Sequence, residues 1–174
     1  WEANMELIDL IPEFNLYEKY WKVYTNTGAI QPQYISPDSV IVKSIIGEGS
    51  EIYGEVVNSV IGAGVTIGKG AIVRDSIVMQ GCRIGEGAKV DKAIIAEEVS
   101  IGAGAELGVG DYAPSTYNPK VYQFDLVTIG EHSVIPENVK IGKNTAISGV
   151  TGKEDYPEGQ LASGDYIVKA GGAR

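Results

Sequence analysis

The sequence of 174 residues has little of several residue types on which common structures and chemistries depend. It has one cysteine, Cys82, so no disulfide can form within the chain, and a reducing compartment is expected. It has no run of about 18 apolar residues, which argues against a membrane-spanning helix. Its first residues include Glu2, Glu6 and Asp9, where a secretory signal would be basic and then apolar. We therefore expect a cytoplasmic protein with no membrane partner.

Clustered positive charge is also lacking. The chain has 14 Lys and Arg residues against 23 Asp and Glu residues, for a formal net charge of −9 at pH 7. This charge repels a phosphate backbone, and no local group of Lys and Arg offsets the repulsion. We therefore expect no nucleic-acid partner.

Leucine is scarce, with 6 residues against 21 isoleucines and 18 valines. Branched side chains lose rotamer freedom in helices and pack well on strands, so the composition argues against a helical bundle. The chain also has 23 glycines, nearly twice the usual share. Together these features predict short strands separated by glycine-containing turns, in a single domain.

A six-residue repeat organises most of the chain. Its unit is an aliphatic residue, a glycine, any residue, and then glycine or a small polar residue, as in Ile61-Gly62-Ala63-Gly64. A longer period of 17 residues relates the aliphatic positions 61, 78 and 95. Three strands would thus form one coil, and stacking of coils about 4.8 Å apart would pair them as parallel strands. We predict an all-β, three-sided prism over residues 35–150, with residues 61, 78 and 95 one above another.

Strand alternation assigns residues to the inside or the outside of this prism. With the repeat aliphatics inside, the residue two positions earlier also points inward, and these residues are small: Ser44, Ser59, Ser76, Cys82 and Ala93. The outward residues of one side form an aliphatic column of Ile45, Val60, Ile77 and Ile94. Such a column is unfavourable in water. We predict that it packs against another domain or subunit, or against the chain's own N-terminal segment.

Three segments lie outside the repeat. The pattern of residues 1–34 predicts an amphipathic helix ended by Pro12 and then an aromatic cluster, together an adaptor with an apolar face that is a candidate cap for the first coil. Residues 109–126 predict a loop, either packed on the prism through its aromatic residues or functional. Residues 151–174 predict a weakly ordered C-terminal tail.

We find no self-sufficient active centre in the sequence. A carbonic-anhydrase type of zinc site needs several histidines, and the chain has only His132. A Walker loop, a G-x-S-x-G elbow and an aspartate cluster for magnesium are absent. No catalytic residue, metal ligand or cofactor is therefore assigned to this chain. One alternative stays open, an acyltransferase that uses His132, at a corner of the repeat, as a general base.

Three stretches of the chain resemble bacterial glucose-1-phosphate adenylyltransferases, also called ADP-glucose pyrophosphorylases. They are residues 1–7, which begin Trp-Glu-Ala-Asn, residues 50–62, and residues 127–142, which contain Val134-Ile135-Pro136. The resemblance covers the C-terminal part of that family and extends to about Val150. It implies a left-handed parallel β-helix of hexapeptide repeats.

The resemblance also implies a function. Enzymes of that family make ADP-glucose and pyrophosphate from ATP and glucose 1-phosphate with Mg²⁺, in glycogen biosynthesis, and an N-terminal nucleotide-binding domain performs the reaction. This chain, which starts at Trp1 without an initiator Met, would then be a fragment for oligomerisation and allosteric regulation, and Mg²⁺ would belong to the missing domain. A catalytically silent regulatory subunit of the same family is an alternative.

The expected partners follow from the same resemblance. They are the chain's own N-terminal catalytic domain, further subunits in a homo- or hetero-tetramer, and an anionic effector such as a sugar phosphate. An anion needs Lys or Arg, and the candidate residues near the last coils are Lys140, Lys143, Lys169 and Arg174.

Overall fold

A computed structural model describes residues 1–16, 18–21, 28 and 30–169 of the chain. Within these residues the chain begins with a short helix, α1 (Glu2–Glu6), and continues as strands of two to four residues. No helix in the described ranges is long and apolar enough to cross a membrane. The strands form three parallel sheets, called A, B and C in the order in which the chain enters them.

Successive strands join the three sheets in turn. Sheet A contains β1 (Tyr34–Ile35), β4 (Glu51–Ile52), β7 (Thr66–Ile67), β10 (Arg83–Ile84), β13 (Ser100–Ile101) and β16 (Val134–Ile135). Sheet B contains β2 (Val40–Val42), β5 (Glu55–Val57), β8 (Ile72–Arg74), β11 (Lys89–Asp91), β14 (Glu106–Val109), β17 (Lys140–Gly142) and β19 (Gln160–Leu161). Sheet C contains β3 (Ile45–Ile46), β6 (Val60–Ile61), β9 (Ile77–Val78), β12 (Ala93–Ile95), β15 (Val127–Ile129), β18 (Ala146–Ser148) and β20 (Tyr166–Val168).

The registers between strands confirm the predicted stacking of coils. In sheet C, Val78 pairs with Ile61 on one side and with Ile95 on the other. Each of these three side chains is at most 1% exposed, because it contacts its counterparts in the neighbouring coils and the interior of the prism. The all-β prism predicted from the repeat is therefore correct.

Small polar residues inside the prism satisfy their own hydrogen bonds. The Ser59 hydroxyl donates to the Val57 carbonyl (2.8 Å) and accepts from the Ser76 amide (3.2 Å). The Ser76 hydroxyl likewise donates to the Arg74 carbonyl (2.6 Å) and accepts from the Ala93 amide (3.0 Å). Both serines are fully buried, and a buried hydroxyl is tolerated when it is bonded in this way.

The other small inward residues follow the same assignment. Ala93 and Cys82 are fully buried, whereas Ser44, in the first coil, is half-buried. Burial raises the pKa of the Cys82 thiol to about 11. Because the thiolate is the reactive form, Cys82 is an inert packing residue at neutral pH.

One corner of the prism has glycine in the first coils and larger residues in the later ones. Between sheets C and A, Gly64 and Gly81 have φ of 66° and 69°, a left-handed conformation that glycine adopts without a steric penalty. Further along the same corner, Glu98 and His132 both have φ of 55°. The predicted corner position of His132 is thus confirmed, and its side chain lies on the outside of the turn, where it is about half exposed.

The C-terminal segment is not the weakly ordered tail that the sequence suggested. Two 3-10 turns, Lys153–Asp155 and Pro157–Gly159, lead into β19 and β20, which pair with β17 and β18. Leu161 stacks on Ile141, and Ile167 stacks on Ile147, both at an interval of 20 residues instead of 17. Because this interval is longer, the repeat is not apparent in the sequence, although aliphatic residues still point into the prism. Residues 170–174 lie outside the described part.

The N-terminal helix is shorter than the sequence predicted. It ends at Glu6 instead of continuing to Pro12, and Leu10 and Ile11 are 97% and 89% exposed. That the N-terminal segment caps the first coil stays a prediction. Contacts at the two ends of this segment place it along sheet C, as shown below. Tyr17, part of the predicted aromatic cluster, lies outside the described residues.

The inside assignment is tested by Ile84→Asp. Ile84 is 2% exposed and stacks between Ile67 and Ile101, so an aspartate there would be an unpaired buried charge costing several kcal/mol. We expect thermal unfolding at a much lower temperature than for the unaltered protein. The matched control is Arg83→Asp, on the outside of the same strand, which should unfold almost normally. Equal melting temperatures for the two variants would contradict the assignment.

Candidate functional site

The predicted interface column lies on the outside of sheet C. Ile45, Val60, Ile77 and Ile94 are in register in successive coils, and the column continues through Thr128, Ala146 and Tyr166. Ile77 and Ala146 are only 5% and 4% exposed, although both face outward. Side chains in this position must be covered from outside the prism.

The N-terminal segment lies beside the first half of this column. At one end the Trp1 indole donates a hydrogen bond to the Asp75 carbonyl (2.7 Å), and the Lys92 ammonium lies 5.8 Å from the centre of the Trp1 ring. At the other end Asp9 forms a salt bridge with Lys43 (2.9 Å), just before β3. Met5, between these contacts, is buried. The chain's own N-terminal segment therefore lies along the corner between sheets B and C, next to the column.

The loop between β14 and β15 lies beside the second half of the column. The buried side chain of Asn144 holds both of its ends, because its carbonyl oxygen accepts from the Asp125 amide (2.8 Å) and its NH₂ donates to the Ala113 carbonyl (2.8 Å). The Tyr117 ring lies 4.6 Å from that of Tyr166. Tyr117 thus packs against the last strand of sheet C, whereas Tyr112 and Phe124 of the same loop are 66% and 68% exposed.

The two covering segments meet at a cleft of about 430 Å³. Trp1, Glu2 and Ala3 line one side, and Phe124 and Leu126 of the loop line another, with Lys92 between them. Phe124 is 68% exposed. The cleft therefore combines an accessible aromatic surface with one cation, Lys92, and one carboxylate, Glu2.

The predicted effector cations do not converge on one point in the described part of the chain. Lys140 is on the outside of sheet B, 3.7 Å from Glu106. Lys169 follows the last strand of sheet C and contacts Asp155 at 2.5 Å, and this bond lowers the pKa of the Asp155 carboxyl. Lys143 lies at the corner between sheets B and C.

Lys143 acts electrostatically on a neighbouring acid. Burial and the negative charge of Asp75 raise the pKa of the Asp91 carboxyl, and Lys143 opposes the rise. Arg174, the fourth candidate, lies outside the described residues. The assignment of these four residues to an effector site stays a prediction.

Comparison with known proteins gives two kinds of match. The family model described as "GlmU-like, C-terminal hexapeptide" matches residues 34–118. A glucose-1-phosphate adenylyltransferase of Lachnospira eligens is 66% identical over 171 residues, which are 98% of this chain and 40% of that protein. The enzymes of the same name from Thermotoga maritima and Acetivibrio thermocellus are 54% and 40% identical over 97% and 98% of the chain.

These identities extend over almost the whole chain. The chain is related to the C-terminal part of glucose-1-phosphate adenylyltransferases. It spans about 40% of the length of these curated relatives. The resemblance seen in the sequence is thus confirmed, and the three-sided prism is a left-handed hexapeptide β-helix.

The relation to glucose-1-phosphate adenylyltransferases bears on the alternative prediction, that His132 is the general base of an acyltransferase. Its Nδ1 lies 3.0 Å from the Glu98 carboxylate, and its amide donates to the Glu97 carbonyl (2.9 Å). Both side chains are about half exposed or more, on a corner that projects into solvent. This is a contact between two exposed side chains, and the predicted role of His132 as the general base of an acyltransferase gains no support from it.

Sequence reasoning missed Asn144, Lys92 and Trp1 as parts of this surface. Asn144 occupies the last position of a repeat unit, where a small polar residue is ordinary. Its two bonds are to residues 19 and 31 positions away, so local spacing holds no signal for them. Such a contact becomes visible only when the coils are stacked.

The Asn144 clamp is tested by Asn144→Ala. The change removes two hydrogen bonds, each with a net value of about 1 kcal/mol, and so we expect unfolding free energy to fall by about 2 kcal/mol. Trypsin should also cut faster after Lys120, in the exposed part of the loop. The control is Asn138→Ala. Asn138 has a φ of 59°, close to the 55° of Asn144, but its side chain is exposed. Equal effects in both variants would show that backbone conformation, and not the clamp, is responsible.

Proposed function

We propose that this chain is the oligomerisation and allosteric-regulation domain of a glucose-1-phosphate adenylyltransferase, which makes ADP-glucose and pyrophosphate in glycogen biosynthesis. The observation that supports this most is the extent of the match: 98% of the chain but only 40% of the L. eligens enzyme. The nucleotidyl transfer would then belong to the remaining part of the protein. Mg²⁺ would be bound there, and no residue of this chain is assigned to it.

The exposed N-terminal segment supports docking of the catalytic domain. Leu10 and Ile11 are almost fully exposed, and Trp21 is 81% exposed. A group of large apolar side chains of this kind is unfavourable in water and marks a surface that another body covers. We propose that the protein's own N-terminal catalytic domain covers it, next to the segment that already lies along sheet C.

The first coil supports the proposed assembly into a cytoplasmic homo- or hetero-tetramer. Its strands β1, β2 and β3 are at the edge of their sheets, with Tyr34, Ile35, Val40 and Val42 each about half exposed. Unpaired strand edges with apolar side chains are surfaces that proteins normally cover. In the assembled enzyme this end would be buried between domains or subunits.

The proposed effector is an anion such as a sugar phosphate. Lys140, Lys143 and Lys169 lie in the last two coils, and Arg174 follows them in sequence. Lys140 and Lys169 already contact carboxylates, so an anion would have to compete with Glu106 and Asp155 for them. Lys143 is therefore the residue whose removal should affect an effector most.

The assignment of function is tested by comparing the enzymatic activity of the full-length protein with that of this chain alone. The full-length enzyme and residues 1–174 alone are assayed for ADP-glucose formation with ATP, glucose 1-phosphate and Mg²⁺. We expect turnover by the full-length enzyme and none by the isolated chain, because the chain would lack the nucleotide site. Turnover by the isolated chain, or acetyl-CoA turnover that His132→Ala abolishes, would contradict the proposal. An inactive full-length protein that still binds effector would indicate the silent subunit.

The effector assignment is tested by Lys143→Ala in the full-length enzyme. Removing one cation that contacts an anion should raise the effector concentration for half-maximal response about tenfold. This corresponds to a loss of about 1.4 kcal/mol of binding free energy. The rate without effector should not change. Lys69→Ala is the control, since Lys69 is exposed at a distant corner between sheets A and B. An unchanged response in Lys143→Ala would remove this residue from the site.

A further inference from the structure

A second groove, of about 510 Å³, lies on the outside of sheet B near the end of the prism. The outward residues Glu106, Lys140 and Gln160 pair in register across β14, β17 and β19, and line the groove. Its other wall is the first part of the inserted loop, from Gly110 to Ala113, with Ser163 at the far end. This groove is separate from the cleft at Trp1 and Phe124, with which it shares no lining residue.

A bulge in β14 produces the loop wall. The register between β14 and β17 shifts between Leu107 and Val109, and Gly108 has φ of 83°. A side chain at Gly108 would collide with the Asp91 carbonyl, so only glycine fits there. A bulge bends a strand and redirects the side chains that follow it. Here it turns the chain away from the prism, so that Asp111 and Tyr112 stand beside the groove.

The walls of the groove are held in place before any ligand arrives. Asn144 bonds the Ala113 carbonyl, which fixes the loop wall. The Ser163 hydroxyl accepts from the Lys143 amide at 3.0 Å. The Glu106 carboxylate accepts from Lys89 at 2.8 Å and faces Lys140, and these cations lower its pKa, so that it stays an ionised acceptor. Groups that are already oriented lose little freedom on binding.

The chemistry of the lining selects against two classes of ligand. Glu106 and Asp111 are balanced by Lys140 and by Lys89, which bonds Glu106, so the groove has no net positive charge to attract a phosphate or another anion. A purely apolar ligand would displace water from the carboxylates, the ammonium and the Gln160 amide. These groups would then lose the hydrogen bonds that water made to them. A suitable ligand is therefore neutral and offers both donors and acceptors.

The remaining features indicate which neutral ligand fits. Tyr112 is 66% exposed and gives the groove an aromatic surface. A sugar ring has an apolar C–H face that can lie on such a surface, and hydroxyls at its rim that donate to carboxylates and accept from an amide or ammonium. The volume is within the usual range for small-ligand sites. We propose that this groove binds a neutral oligosaccharide, at a site that shares only Lys140 with the residues proposed for the anionic effector.

The proposal is tested by calorimetric titration of the full-length protein with maltotriose and, separately, cellotriose. We expect saturable, weak binding of at least one of them, and about tenfold weaker binding by Tyr112→Ala, because the aromatic surface is lost. Gln160→Ala should also weaken binding. Tyr20→Ala is the matched control, since Tyr20 is fully exposed and outside the groove, and it should bind like the unaltered protein.

Several results would overturn the proposal. They are no saturable binding of either trisaccharide, unchanged affinity in Tyr112→Ala, or competition by inorganic phosphate, which would indicate an anion site. Tyr112 is exposed, so its removal should leave the melting temperature unchanged, and that measurement confirms that the variant is folded. The readout is binding, so it is independent of whether the protein forms ADP-glucose.

Discussion

The contact between branched aliphatic side chains of successive coils is the interaction on which the rest of the structure depends. A strand of two residues, such as β6 or β9, has no stability of its own, and it persists because it is paired on both sides. Ile61, Val78 and Ile95 set the register of that pairing, since a slip by one residue would move them to the outside. Stability thus accumulates from one coil to the next, as in other repeat proteins.

This stacking makes the outside of the prism regular, and the three sides then have different uses. Sheet C presents aliphatic residues and is covered by two segments of the chain, one beginning at Trp1 and the other held by Asn144. Sheet B presents charged residues, including the pairs Glu55 with Arg74 and Glu106 with Lys89. Exposed pairs of this kind contribute little stability, so this side remains a hydrated surface on which polar ligands can compete.

The two covering segments also connect distant parts of the molecule. The inserted loop contacts the last coil through Tyr117 and Tyr166, and it shares a cleft with the N-terminal segment through Phe124. The N-terminal segment in turn reaches the first coil, where Asp9 meets Lys43. Contacts therefore run along the whole of sheet C, outside the rigid interior.

The sequence by itself determined the prism, its parallel pairing, the buried positions of Ser59, Ser76 and Cys82, and the aliphatic column on sheet C. These features follow from spacing within one coil, because alternation and the 17-residue period relate residues that are close in sequence. Only the tertiary structure decided what lies over the column, that Asn144 holds the loop, and that residues 160–168 form strands. Those outcomes depend on contacts between residues far apart in the chain, or on intervals that depart from the repeat, and neither leaves a periodic pattern to read.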